Sequence, residues 1–140
     1  MDNTSLEIKL KSLNLKHNPI FTKKDHVKYV RDWRGQYKGD AAAILKPINT
    51  KEVSRILKIA NENKIGVVPQ GGNTSLCGAA TPDNSGTSIV ISFEKMNKVR
   101  QFNKESQTIT VESGAILSQI HDVVEKENLF FPLSLGAQGS

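Results

Sequence analysis

Between Val67 and Gly78 the chain reads VVPQGGNTSLCG. Gln70, Gly71, Gly72, Asn73, Thr74 and Ser75 set glycines, amides and hydroxyls in unbroken succession. Glycine reaches positive φ at little steric cost, so consecutive backbone N–H groups can face one concavity. The Thr74 and Ser75 hydroxyls and the Asn73 amide add further donors. The chemistry this suits is capture of an anion, most naturally a phosphate or pyrophosphate. Each neutral contact would contribute ~1 kcal/mol net, and a contact to a charged oxygen more. The spacing alone fits an ordinary surface loop equally well. It is not a Walker loop, because no Lys-Ser/Thr pair follows the glycines. Nor is it a dinucleotide fingerprint, because it leads toward the turn residues Asp83, Asn84 and Gly86 rather than a helix. A second small-residue stretch, PLSLGAQGS, runs from Pro132 to Ser140.

Other reactive residue types are sparse. Cys77 stands alone, so an internal disulfide and a multi-cysteine metal site are excluded. Its setting predicts a small packed residue rather than a reactive thiol. His17, His26 and His121 show neither metal-ligand spacing nor a nucleophile partner, so structural or solvated roles are expected. Trp33 is expected to pack against the domain surface.

The elements that must position the first loop follow from hydrophobic periodicity. Thr4-x-x-Glu7 reads as a capping box ahead of Leu6, Leu10 and Leu13. Pro19 ends that helix, and Asp25 to Trp33 predicts a further helical turn closing near Gly35. AAAILKP, Ala41 to Pro47, predicts a strand. Thr50 opens the clearest helix, with Val53, Ile56, Leu57 and Ala60 on one face. IGVVP and SIVISF predict short buried strands on either side of the loop. The order suits a parallel βαβ unit.

After Phe93 the pattern changes. KVRQFNKESQTITVESG alternates about a polar NKES turn and predicts an antiparallel hairpin. AILSQIHDVVEKEN predicts a helix presenting Ile116, Leu117, Ile120, Val123 and Val124. Fold class is therefore α+β: a small parallel βαβ unit, then an antiparallel sheet with its helix.

With 140 residues, 37% hydrophobic and 24% charged, the chain can build one globular core. No apolar run approaches the roughly 20 residues of a spanning helix. The N-terminus carries no secretory or transit pattern, so a cytoplasmic location is expected. The net charge of +5 is spread over scattered lysines with no basic stripe interleaved with aromatics. That argues against nucleic acid and fits a phosphate-bearing ligand.

Taken together, three segments carry a resemblance: DWRGQYKGDAAAILKP, TKEVSRILKIANENKIGVVPQGGNTSLCGAA and VESGAILSQIHDVVEKENLFFPLSLGAQGS. From Asp32 to Ser140 the chain resembles the FAD-binding domain of the FAD-linked oxidases of the p-cresol methylhydroxylase or vanillyl-alcohol oxidase type. Within that superfamily it is most similar to the D-2-hydroxyglutarate and D-lactate dehydrogenase branch. The resemblance implies an FAD-binding domain of two subdomains. Residues 1–40 would form an N-terminal helical extension, 41–94 the first subdomain and 95–140 the start of a second, incomplete one.

It further implies that Gln70, Gly71, Gly72, Asn73, Thr74 and Ser75 bind the FAD pyrophosphate. Pro132, Leu135, Gly136, Ala137, Gly139 and Ser140 would line the flavin. Gly114 is a further candidate, and equally a turn glycine between hairpin and helix. Where some relatives attach FAD through a histidine, this chain has Thr74, which implies a non-covalent flavin. Where many relatives have arginine it has Gln70, so the phosphates would lean on backbone N–H groups.

The implied reaction is hydride transfer from C2 of a D-2-hydroxyacid to flavin N5, giving the 2-oxoacid. The resemblance places the catalytic histidine and any metal ligands in a substrate domain beyond Ser140. The expectation is the N-terminal FAD-binding part of such a dehydrogenase, with the rest of the FAD and substrate domains on a longer chain or a second polypeptide. The alternative is a non-catalytic remnant or interaction subunit that keeps the fold without activity.

Overall fold

The computed structural model describes residues 3–136. The elements are α1 (Asn3–Ser12), α2 (Lys23–His26), β1 (Ala43–Leu45), α3 (Thr50–Glu62), β2 (Val67–Gln70), β3 (Ile89–Ser92), β4 (Val99–Asn103), β5 (Thr108–Val111) and α4 (Leu117–Glu125). β1, β3 and β2 form a parallel sheet in that order, and β4 and β5 form an antiparallel hairpin.

β3 is central and wholly buried because it is covered on both faces. Alternation sorts the faces. Ala43, Leu45, Ile89 and Ile91 point to one side, against Leu6, Leu10, Leu13 and Leu15 around α1 and against Ile56 and Ala60 of α3. Ile44 and Val90 point to the other, against Tyr29, Val30 and Ala41, with Ile20 and Val68 at the margin. Residues before Ala41 thus supply packing on both faces of the sheet. Ile20 also exchanges backbone hydrogen bonds with Ile44, at 2.9 and 3.0 Å.

Three local expectations change. α1 already includes Thr4, so Thr4 is a helical residue and not its cap. The helical turn expected over Asp25–Trp33 lies earlier, at Lys23–His26, and irregular backbone follows it. Asp32 explains why: it accepts from Tyr37 N–H through Oδ1, and Asp32 N–H donates to the Tyr37 carbonyl, closing a loop instead of a helix. On α3, Leu57 is 46% exposed, whereas Glu52 is buried. The Glu52 carboxylate accepts from Lys16 N–H at 2.9 Å and Ile48 N–H at 3.0 Å. Those bonds rotate the buried stripe toward Glu52, Ile56 and Ala60. Asn49 caps the helix, accepting from Glu52 N–H.

The hairpin and α4 stand beside the sheet's carboxyl edge. Gly114 N–H donates to the Met96 carbonyl at 2.8 Å, and Glu112 N–H to Lys98 at 2.9 Å. Ile120 and Val124 are the buried face of α4, as its periodicity predicts. Among the described residues, no helix is long and apolar enough to cross a membrane.

Candidate functional site

The Gly-rich loop leaves the sheet at the carboxyl end of β2. Parallel sheets commonly offer a ligand crevice at that edge. Gln70 is paired with Ser92 across the ladder, and both are buried at the edge. The chain then turns out of the sheet, and Gly71, Gly72 and Thr74 are exposed.

Two side chains hold the loop in place. Gln70 Nε2 donates to the carbonyls of Tyr29 and Ala80, each at 2.8 Å. Asn73 adopts the left-handed region with φ 55°, and its Nδ2 donates to the Arg31 carbonyl at 2.8 Å. Both amides therefore face protein. Gln70 ties the base of the loop to the segment before β1, and Asn73 ties its tip to the same segment.

That division leaves the backbone as the available donor set. Among the described residues, the N–H groups of Gly71, Gly72, Asn73, Thr74 and Ser75 donate to no protein acceptor. A left-handed residue within a run of free N–H groups is the geometry of an anion nest. Thr74 presents an exposed side chain that makes no hydrogen bond among the described residues. Ser75 Oγ instead accepts from Cys77 N–H at 3.3 Å and lies 3.2 Å from Cys77 Sγ. Cys77 is exposed, not packed. The Ser75 hydroxyl beside it holds its thiol below the usual range.

The loop borders a cleft of about 440 Å³ lined by Lys28, Arg31, Asp32, Trp33, Arg34, Gly72 and Asn73, among others. Its cations were not picked out from the sequence. They sit about forty residues from the glycines, and the Asn73 and Gln70 bonds fasten that segment alongside the loop. Trp33 stands 66% exposed on this cleft rather than against the surface, with the Arg34 guanidinium 5.8 Å from its ring centroid.

At the same sheet edge, Glu94 lies 3.5 Å from both Lys28 and Lys46 and accepts from the Tyr29 hydroxyl. Burial pushes the Glu94 carboxyl up, but the Lys28 and Lys46 charges outweigh it and hold the group below its ordinary range. A depressed carboxyl stabilises the fold above its unfolded pKa and loses that contribution as pH falls through the folded value. Thermal melts should therefore show wild type above Glu94→Gln at pH 7, with the gap closing on acidification below about pH 4. A gap that widens in acid would contradict this.

The structure brings Gly71 and Ser113 together: a Cβ built on Gly71 would lie 3.9 Å from the Ser113 carbonyl. Gly114 follows directly, so the hairpin–helix junction borders the first loop. The second loop lies along α4, where His121 Nε2 meets the Leu133 carbonyl at 3.0 Å. Pro132, Leu135 and Gly136 are exposed. Among the described residues no hydrogen bond joins them to residues 70–75. Ala137, Gly139 and Ser140 lie outside the described residues.

Comparison with known proteins gives a consistent result. Residues 41–140 match the family model described as FAD binding domain. A D-2-hydroxyglutarate dehydrogenase of Xanthomonas citri pv. viticola is 34% identical over 136 residues, covering 97% of this chain and 28% of that protein. A mitochondrial D-2-hydroxyglutarate dehydrogenase of Arabidopsis thaliana is 38% identical over 109 residues, covering 78% of this chain and 19% of that protein. The crystal structure of p-cresol methylhydroxylase with substrate bound superposes with TM-score 0.76 at 25% identity, over 96% of this chain and 26% of that one. The chain thus spans only 19% to 28% of the length of these curated relatives.

Proposed function

The chain belongs to the FAD binding domain family, and from that premise we propose that it is the cofactor-holding part of a flavin-dependent D-2-hydroxyacid dehydrogenase. FAD is the cofactor of this domain. The observation that carries the reading is the run of unclaimed N–H donors from Gly71 to Ser75 at the carboxyl edge of the parallel sheet. A pyrophosphate needs several donors at short range and little side-chain bulk, and this loop supplies both. The residues present fit the group.

A bound FAD would supply two-electron redox chemistry, as acceptor of a hydride from a carbon that bears a hydroxyl. This chain's contribution is to bind and orient. Gly71, Gly72, Asn73, Thr74 and Ser75 would hold the phosphates through the backbone, with the Thr74 hydroxyl as an added donor. Gln70 supports the reading indirectly, by fixing the base of the loop. Pro132, Leu135, Gly136, Ala137, Gly139 and Ser140 would line the flavin, and Gly114 would border the phosphates. The domain division proposed is 1–40, 41–94 and 95–140, with hydroxyacid specificity supplied by residues beyond these.

Thr74 stands where some relatives attach FAD through a histidine and cannot form that bond, so denaturation should release the cofactor intact. Acid precipitation of FAD-loaded protein should leave the yellow colour in the supernatant; flavin retained in the pellet would contradict the assignment. Cys77 offers a test of the loop itself. It is the only thiol, it is exposed, and Ser75 beside it belongs to the proposed cradle. Labelling by iodoacetamide should slow severalfold when FAD is added, and riboflavin, which lacks the phosphates, should protect less. Equal labelling rates with and without FAD would count against a pyrophosphate at this loop.

A further inference from the structure

We propose that Arg31 and Arg34 supply the positive charge for the phosphates held by the Gly-rich loop; this rests on the FAD reading above. The loop itself cannot provide that charge, because no lysine or arginine occurs between Gln70 and Ala80. A pyrophosphate bound only by neutral N–H groups leaves its negative charge uncompensated. The structure supplies cations from another part of the chain. Arg31 and Arg34 line the same 440 Å³ cleft as Gly72 and Asn73.

Three observations single these two out. First, the loop and the arginine segment are fastened to each other at the point of contact: Asn73 Nδ2 donates to the Arg31 carbonyl at 2.8 Å, and Gln70 Nε2 to the Tyr29 carbonyl at 2.8 Å. The guanidinium stems therefore start from a fixed distance to the nest. Second, neither Arg31 nor Arg34 has an ion pair among the described residues. Lys28, the third cation of the cleft, is already shared with Glu94. Third, the acid on the cleft, Asp32, is turned inward. It is 4% exposed, and its Oδ1 accepts from Tyr37 N–H, so it closes its own loop and makes no ion pair with either guanidinium.

Gly35 adds a steric argument. Its φ is +69°, and a Cβ there would collide with the Arg31 guanidinium, so the turn is shaped to let that group lie across it. Arg34 lies near the exposed Trp33 ring. A planar cation held in this way is suited to bidentate contact with phosphate oxygens.

The test is FAD binding by the 140-residue chain, followed by flavin fluorescence over a range of salt concentrations. Inorganic pyrophosphate serves as a second probe, and Arg31→Gln/Arg34→Gln is compared with wild type. Both side chains are exposed, so circular dichroism should match wild type. The double variant should lose about tenfold or more in FAD affinity and show a flatter salt dependence. It should also lose competition by pyrophosphate. Wild-type FAD affinity and salt dependence in the double variant would overturn this inference while leaving the FAD reading intact. Pyrophosphate bound through the arginines without FAD binding would support the charge assignment and overturn the cofactor reading. A wild-type chain that binds neither probe would overturn both.

Discussion

Replacing Gly114 with alanine is expected to cost about 3 kcal/mol or more of folding stability, a large share of the usual 5–15 kcal/mol total. The cause is space rather than backbone angle. An added Cβ would collide with the Phe93 carbonyl and stand 2.9 Å from the Met96 carbonyl oxygen. Those are backbone atoms and cannot swing aside as a side chain could. They belong to the turn directly after β3, the central strand, whose residues Ile89–Ser92 are all buried. Relief would require that turn to move, or the junction carrying Gly114 to lift away, breaking its hydrogen bond to Met96. Urea denaturation should show a midpoint shift well outside error. Gly136→Ala is the control, because nothing lies within 4 Å of its Cβ, and it should unfold like wild type within about 0.5 kcal/mol. A Gly114→Ala protein as stable as that control would mean that the junction is looser than this packing requires. The collision gives Gly114 a packing role that needs no ligand, so its place in the cofactor site rests on position beside Gly71 and Ser113 alone.

Signals local in sequence were readable, and those set by distant contacts were not. β3 was readable because an unbroken apolar run has one stable home, between two packed layers. The α3 start was readable because Thr50 opens an unbroken apolar period of 3.6, although Asn49 was not read as its cap. The hairpin and α4 followed from periods of 2 and 3.6. Leu57 misled because the period permits it on the buried face, and only the bonds from Lys16 and Ile48 to Glu52 set the helix rotation. Asp25 to Trp33 misled because Asp32 reaches Tyr37 and closes a loop, a contact that helical periodicity does not encode. From its glycines the loop read equally as an anion site or as a plain surface loop. The roles of its amides were not readable, because Gln70 and Asn73 meet acceptors about forty residues away. The Arg31 and Arg34 cluster was hidden for the same reason.

That displacement of roles makes Gln70 the second decisive position. If Gln70 acts mainly as a brace, Gln70→Ala should lower stability by about 2–4 kcal/mol, or roughly 10 °C in melting temperature. The residue is 3% exposed, and its Nε2 group satisfies the carbonyls of Tyr29 and Ala80 together. Removing it strands two acceptors and leaves a cavity at the end of β2. Gln70→Met restores most of the volume without the donors, so it should recover only part of the loss. Gln70→Glu should fare worse than Met at neutral pH, since it sets a carboxylate against two carbonyl oxygens with no donor between them. FAD affinity should fall in step with stability across the series, because the loop is anchored through this side chain. A side chain whose only task was to touch FAD would behave differently: its variants would keep the wild-type melting temperature in the absence of flavin and lose affinity alone. The unliganded melting temperatures therefore separate a brace beneath the phosphate cradle from a direct contact to it, and the two bonds at 2.8 Å make the brace the expected result.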